Sequence, residues 1–232
     1  MKRKNLVNRL KLAEGDFERI RKSVQDAELR TNGEIALAAT SESSDYSFYE
    51  LFISVVLGAV AFALLIPLYG QIGALLDRTF WHLPEWYLPS FYGIVSFAVI
   101  ALFFIAANVP ALDRVIIPNA AKHRAVYNRA LRHFVESGVY GTMERTGILI
   151  FISYLEREVR IIADTGIASK IDQGEWDLIA DNIALGVKNG NTADALVEAV
   201  TKCGDLLEKH FPAKKENPNE LADGLFILEA GI

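Results

Sequence analysis

The chain has almost no cysteine, no excess of positive charge and none of the common nucleotide-binding loops. Cys203 is the single cysteine among 232 residues, which excludes an intramolecular disulfide and a cysteine cluster for zinc. A net charge of −5 argues against a nucleic-acid-binding protein, which would carry a basic surface. The sequences Gly-x-x-x-x-Gly-Lys-Ser/Thr, Gly-x-Gly-x-x-Gly and Gly-x-Ser-x-Gly are missing. A phosphate-binding loop, a dinucleotide fingerprint and a serine-hydrolase elbow are therefore excluded.

Charge is also missing from two long stretches, Leu51 to Leu76 and Trp86 to Leu112. Each exceeds the roughly 20 apolar residues with which a helix crosses a bilayer. Because neither contains an ionisable residue, nothing within them marks an ion or proton path. The short bridge Asp77 to Glu85 joins them, so the pattern predicts a transmembrane hairpin with spans at about 51–70 and 89–110. The lipid bilayer is therefore one expected partner.

Lysine and arginine crowd both flanks of the hairpin, whereas the bridge carries only Arg78. The basic residues are Lys2, Arg3, Lys4, Arg9, Lys11, Arg19, Arg21, Lys22 and Arg30 before it, and Arg114, Lys122, Arg124, Arg129 and Arg132 after it. By the positive-inside rule we expect both termini in the cytoplasm and the bridge on the outer side of the membrane. The membrane we expect is a bacterial inner membrane. Tyr69, Trp81, Trp86 and Tyr87 are placed to anchor the outer ends of the spans. No apolar run follows the first basic residues, so we expect no cleavable signal peptide.

Apolar periodicity predicts helices on both sides of the hairpin. The first covers 16–30, with Asp16 as its cap and a left-handed stop at Thr31-Asn32-Gly33. Later helices are predicted at 119–136, at 175–189 and from a Thr192 cap to about residue 211.

Three apolar segments predict strands. Thr146 to Ser153 is apolar on both faces, which is typical of a central strand covered by helices. Glu158 to Ala163 follows after a link so short that only antiparallel pairing is possible. Glu34 to Thr40 is too apolar to stand alone, and its partners must lie beyond the hairpin. The hairpin is therefore predicted to be an insertion into one domain.

The predicted fold is α/β, a small mixed sheet sandwiched by helices, with the two-helix transmembrane hairpin inserted after the first strand. The corresponding segments are 1–47 for the first helix and strand, 48–112 for the hairpin, and 113–232 for the rest of the domain and its C-terminal tail.

The segments Thr-Gly-Ile-Leu-Ile-Phe-Ile-Ser at 146–153 and Glu-Arg-Glu-Val-Arg-Ile-Ile-Ala-Asp-Thr-Gly-Ile at 156–167 resemble the core of the TPM domain family. Trp176, Phe211-Pro212 and Asn219-Glu220-Leu221 resemble its continuation, and Thr31-x-Gly-Glu-Ile its first strand. The family includes a thylakoid acid phosphatase, a photosystem repair factor and a receptor modulator, and this chain resembles its bacterial integral membrane members. The resemblance implies an α/β sandwich and, in some members, weak phosphatase activity or calcium binding.

Four polar residues are candidates for a ligand site. Asp164 ends a strand before a glycine turn, where side chains often meet ligands, although its carboxylate can equally cap that turn. Glu144 precedes the central strand and Glu34 begins the first one, so these acids would converge with Asp164 if the strands are neighbours. Asp164 and Glu144 could then offer oxygen ligands to Mg²⁺ or Ca²⁺, against the simpler alternative of solvated strand ends. Arg160 could meet a phosphate as a bidentate donor, or pair with Glu158 instead.

The sequence thus predicts a membrane protein with a cytoplasmic TPM-like domain. Its expected role is an interaction, assembly or quality-control factor for other membrane proteins, with no nucleic-acid partner. The enzyme alternative is a weak metal-assisted phosphomonoesterase, which rests on the family resemblance alone. No catalytic residue is assigned for it.

Overall fold

A computed structural model describes residues 3–79, 84–107, 110–214 and 219–231. Trp81 and positions 108–109 of the predicted second span lie outside the described residues. The chain divides into two compact units, one formed by Met1–Asp45 with Asn119–Ile232 and the other by Tyr46–Pro118.

Within the described residues, the chain forms ten α-helices, two short 3-10 helices (Ile66–Leu68 and Val139–Gly141) and four strands. The helices are α1 (Arg3–Arg9), α2 (Glu14–Glu28), α3 (Ser47–Leu65), α4 (Tyr69–Thr79), α5 (Tyr87–Ala107), α6 (Pro110–Ile116), α7 (Asn119–Glu136), α8 (Thr165–Ala168), α9 (Gln173–Asn189) and α10 (Thr192–His210). The strands are β1 (Glu34–Thr40), β2 (Gly147–Ser153), β3 (Glu158–Ala163) and β4 (Leu225–Ile227).

The four strands form one mixed sheet in the order β3-β2-β1-β4. β1 is parallel to β2, with Glu34 opposite Gly147 and Thr40 opposite Ser153, and it is also parallel to β4. β3 pairs antiparallel with β2, as its short link requires. The predicted pairing of 34–40 with the central strand is therefore confirmed. In the sequence, β1 comes before the apolar helices and β2 comes after them.

Helices cover both faces of the sheet, which explains why β1 and β2 are buried along their whole length. Successive side chains of a strand point to opposite faces. On one face Ile35 and Leu37 join a large core with residues of α2, α9 and α10. On the other face Ala36 and Ala38 join a smaller core with Val126, Ala130 and Phe134 of α7. This α/β/α layering confirms the predicted fold class.

The second unit contains the two charge-free segments as helices. Ser47–Arg78 is a helical stretch of 32 residues with a mean hydropathy of 2.7, and Tyr87–Ala107 has 21 residues and a mean hydropathy of 2.3. Both are long and apolar enough to cross a membrane. They pack against each other closely at Gly58, where an added Cβ would collide with the Ile100 side chain. Helix packing of this kind, with a small residue at the contact, is common within bilayers.

Two details at the start of the first unit differ from the sequence prediction. Helix α2 begins at Glu14 with Ala13 as its N-cap, and Asp16 lies within the first turn, where its Oδ2 accepts the Ala13 N–H at 2.8 Å. Gly33 does not have the predicted left-handed backbone. Its small size is needed instead, because a Cβ there would lie 2.8 Å from Leu207 Cδ1 and 3.2 Å from the Thr146 carbonyl oxygen.

The C-terminal part also adds features that the hydrophobic pattern did not reveal. Asp172 caps α9 by accepting the Gly174 N–H at 2.8 Å, so this helix starts two residues before its predicted beginning. Asn191, not Thr192, is the N-cap residue of α10. The apolar tail at Leu225–Ile227 forms β4, which was not predicted as a strand.

Replacing residues 46–118 with a flexible Gly/Ser linker of roughly 15 residues should leave a soluble, cooperatively folded domain, because β1 and β2 can still pair. A matched fragment of residues 119–232 should not fold, since it lacks β1 and exposes the edge of β2 and both adjoining cores. Circular dichroism with chemical denaturation of the two proteins measures this. Equal stability of the two would show that β1 is dispensable, which contradicts a sheet shared across the hairpin.

Candidate functional site

A cavity of about 310 Å³ lies beside the start of β1 and the end of α2. It is lined by Gln25, Glu28, Leu29, Glu34, Asn219 and Asp223. Three of these six residues are acidic, and they come from three separate parts of the sequence: the end of α2, the first residue of β1 and the segment before β4. Folding of the C-terminal segment against the sheet therefore creates the cavity.

Glu28 is the most unusual residue of the cavity, because a carboxyl group occupies the buried face of an amphipathic helix. Its exposed fraction is 7%. The Oε1 atom accepts the backbone N–H of Ile35 at 2.8 Å, so the side chain satisfies a backbone donor at the start of the strand. Burial raises the pKa of Glu28 to about 8, and the negative charges of Glu34 and Asp223 act in the same direction. The neutral acid is therefore the favoured form near pH 7.

The Asp223 carboxylate is held by amide groups from two directions. Gln25 donates to its Oδ2 from Nε2 at 2.6 Å, and Asn219 donates to its Oδ1 from Nδ2 at 2.7 Å. A side-chain hydrogen bond with Glu28 completes the set, which needs a proton on one of the two carboxyl groups. This network links α2 to the segment that leads into β4.

Glu34 is the one predicted site residue that lines the cavity. It is buried, with an exposed fraction of 4%, and its Oε2 accepts the Leu221 N–H at 3.3 Å. Burial raises the pKa of this carboxyl group as well, while hydrogen bonds from the backbone of Glu220 and Leu221 oppose the increase. Its contact is thus with the C-terminal segment.

Asp164 lies at the same end of the sheet as Glu34, directly after β3. Its backbone N–H donates to the Gly147 carbonyl oxygen at 2.9 Å, and its Oδ1 accepts the Thr165 N–H at 2.6 Å as the N-cap of α8. The residue is 2% exposed, and among the described residues none donates a hydrogen bond to the buried Oδ2 atom. One carboxylate oxygen therefore caps a turn, whereas the other accepts no hydrogen bond from the described residues.

The two other predicted residues lie apart from this carboxylate. The backbone of Glu144 approaches α8, because a Cβ at Gly166 would lie 2.9 Å from the Glu144 carbonyl oxygen. The Glu144 side chain, however, forms an ion pair with Lys214 near the surface, which lowers its pKa. Arg160 lies in the middle of β3 and donates from Nε to Glu158 Oε1 at 2.5 Å. The structure brings Glu34, Glu144 and Asp164 to one end of the sheet, but their side chains contact different partners.

Glu28, Gln25, Asn219 and Asp223 were missed by sequence reasoning. A signal for Glu28 was present, since it follows Ile20 and Val24 at helical spacing on the buried stripe of α2. Asp223 had no comparable signal. Within the described residues, no group of three or more His, Cys, Asp or Glu side chains has the arrangement of a metal site.

The raised pKa of Glu28 predicts a pH-dependent stability. Glu28 binds a proton in the folded state up to about pH 8, whereas its ordinary pKa is 4.5, so its contribution is fully present below pH 4.5 and is lost as the pH rises through 8. Glu28→Gln keeps an acceptor for Ile35 and a donor for Asp223 without needing that proton. We expect the variant to exceed the parent in unfolding free energy by at least ~1 kcal/mol at pH 9 and to match it near pH 4.5.

Denaturation of the full-length protein in detergent across this pH range measures the effect as a difference between variant and parent. Asp26→Asn serves as the matched control, because Asp26 is an exposed acid on the same helix, and it should leave the pH dependence unchanged. A Glu28→Gln variant that is less stable than the parent at pH 9 would mean that the charged form is the one the fold requires.

The sequence and the fold were each compared with known proteins. Residues 113–206 match the family model of the TPM domain. No curated protein matches the chain. The fold is similar to that of the BA42 protein from the psychrophilic bacterium Bizionia argentinensis, solved by NMR, with a TM-score of 0.55 and 19% identity over 94% of this chain and 95% of that one. At this identity the likeness shows the fold alone. The match covers α7, β2, β3, α8 and α9, with parts of α6 and α10, whereas β1 and β4 of the same sheet lie outside the matched residues.

Proposed function

We propose that the protein is an integral membrane protein of a bacterial inner membrane, with a cytoplasmic TPM domain that acts as an interaction, assembly or quality-control factor for other membrane proteins. The observation that carries the proposal is the position of the two apolar helices. They follow β1 and precede β2, so the domain is attached to the hairpin through both strands of its central pair. A domain attached in this way stays at the membrane surface, where membrane proteins are its neighbours.

The surface of α9 supports a role in protein interaction. The inner side of this helix is buried and carries Trp176, Ile179 and Ile183. On its outer side, Leu178 is 62% exposed and Leu185 is 54% exposed. These two leucines are seven residues apart, so they lie on the same face after two helical turns. Exposed apolar side chains on one helix face are typical of surfaces that receive a partner.

One observation supports the phosphomonoesterase alternative. Oδ2 of Asp164 is buried and accepts no hydrogen bond from the described residues. A carboxylate oxygen left over in this way is able to ligate a hard cation such as Mg²⁺ or Ca²⁺, or to accept a proton. The neighbouring acids do not join it, because Glu144 pairs with Lys214 and Glu34 contacts Leu221. This difference favours the interaction role over catalysis.

The topology follows from the distribution of lysine and arginine and predicts which positions an impermeant thiol reagent reaches in intact cells. Cysteine at Asp77 should be labelled, and cysteine at Lys209 should be labelled only after the membrane is opened. Cys203 can remain in place, because it is fully buried and burial raises the pKa of its thiol to about 12. The reverse pattern of labelling would place the TPM domain outside the cytoplasm.

A photo-reactive residue at position Leu178, in native membranes, should form an adduct with another membrane protein. Leu185→Glu should lower the yield of this adduct about tenfold, because it removes an anchor of the proposed interface. The same probe at Thr201, an exposed polar position of α10, is the matched control.

The competing outcome is measured on the same purified protein with a generic phosphomonoester and Mg²⁺, Mn²⁺ or Ca²⁺. Turnover that falls about 100-fold in Asp164→Asn, with no adduct at Leu178, would replace the interaction role with the enzymatic one. Loss of a cap alone costs about 1 kcal/mol of stability and leaves no such kinetic effect.

A further inference from the structure

Helix α7 is apolar on two sides. Val126, Ala130 and Phe134 face the sheet and are buried. Tyr127, Leu131 and Val135 follow each other at intervals of four residues, so they form a second, partly exposed stripe about 100° around the helix from the buried one. Their exposed fractions are 50%, 40% and 56%. A helix surrounded by water beyond its buried stripe has polar residues there, so this half-exposed stripe is suited to an apolar neighbour.

The charge of α7 indicates the chemistry of that neighbour. The helix contains four cations, Lys122, Arg124, Arg129 and Arg132, and one anion, Glu136, although the chain as a whole has a net charge of −5. Arg124 is one turn before Tyr127 and two turns before Leu131, and both Arg124 and Arg132 are exposed. Apolar side chains flanked by arginine are characteristic of helices that lie in the interface of an anionic bilayer. Tyrosine also favours this interface.

The order of the elements places α7 close to a bilayer. Under the proposed function, on which this inference rests, the end of α5 at Ala107 reaches the cytoplasmic surface of the membrane. Only a short segment that includes helix α6 separates it from Asn119, where α7 begins. Only the residues between Ala107 and Asn119 therefore separate the start of α7 from the lipid headgroups.

We propose that the outer face of α7, formed by Arg124, Tyr127, Leu131, Arg132 and Val135, lies on the anionic lipid surface of the membrane that the hairpin spans. The tyrosine, leucine and valine side chains enter the boundary between headgroups and acyl chains. The two arginines lie beside them, and their positive charge attracts the anionic headgroups. Lipid contact then fixes the orientation of the TPM domain and leaves α9 available to a partner.

A spin label at Leu131, in the full-length protein reconstituted into vesicles, tests this contact. The buried Cys203 can remain. In vesicles of phosphatidylcholine with phosphatidylglycerol, the label should be accessible to oxygen and protected from a water-soluble nickel chelate. The matched label at Leu178 of α9 should show the opposite pattern. Double charge reversal, Arg124→Glu with Arg132→Glu, should reduce roughly tenfold the extra protection from the nickel chelate that the Leu131 label has in anionic as compared with purely zwitterionic vesicles.

A third label at Val56 in α3 separates the two proposals. If Val56 is accessible to oxygen but Leu131 is accessible to the nickel chelate in both lipid mixtures, the hairpin is inserted and the α7 proposal is wrong. If Val56 is itself accessible to the chelate, the membrane hairpin is wrong and the α7 proposal fails with it. Protection of Leu131 from both reagents would mean that a second copy of the chain, and not lipid, covers this face. Circular dichroism of each labelled protein confirms that it is folded.

Discussion

The parallel pairing of β1 with β2 is the interaction on which the rest of the structure depends. Seven residues of each strand are in register, from Glu34 opposite Gly147 to Thr40 opposite Ser153. Both strands are buried throughout, so neither can satisfy its backbone groups without the other. The apolar helices stand between them in the sequence, and the chain must therefore leave the sheet and return to it. The proposed hairpin with two membrane spans meets this requirement, whereas a single span would separate the two strands.

The centre of this sheet could be predicted from the sequence because its strands are unusual. A run such as Gly147–Ser153 is apolar on both faces, which few other local structures allow, and its short link to β3 dictated the antiparallel pair. The strand β4 could not be predicted in the same way. Its three residues carry too little pattern, and its position depends on contacts with β1, whose residue Leu37 pairs with the distant Leu225. Capping was also misassigned at Asp16, because a carboxylate within the first turn satisfies a donor much as a cap residue does.

The candidate site follows the same division between local and distant information. Glu34 was predicted from its place at the start of a strand, and Asp164 from its place at the end of one. The cavity forms only when the C-terminal segment brings Asn219 and Asp223 against Gln25 and Glu28. Hydrogen bonds over such sequence separations, as between Gln25 and Asp223, leave no periodic signature. Glu28 is the exception, because an acid on an otherwise apolar helical stripe is an irregularity that is visible in the amino-acid sequence itself.

The chemistry of the acids bears on what the TPM domain does here. Burial beside two other carboxyl groups raises the pKa of Glu28 to about 8, which favours its neutral form near pH 7. Asp223 uses both of its oxygens on amide donors, and Glu34 accepts a backbone N–H. These carboxyl groups therefore use their hydrogen-bonding capacity to stabilise the fold. Asp164 alone among the predicted residues retains a buried oxygen without a donor from the described chain.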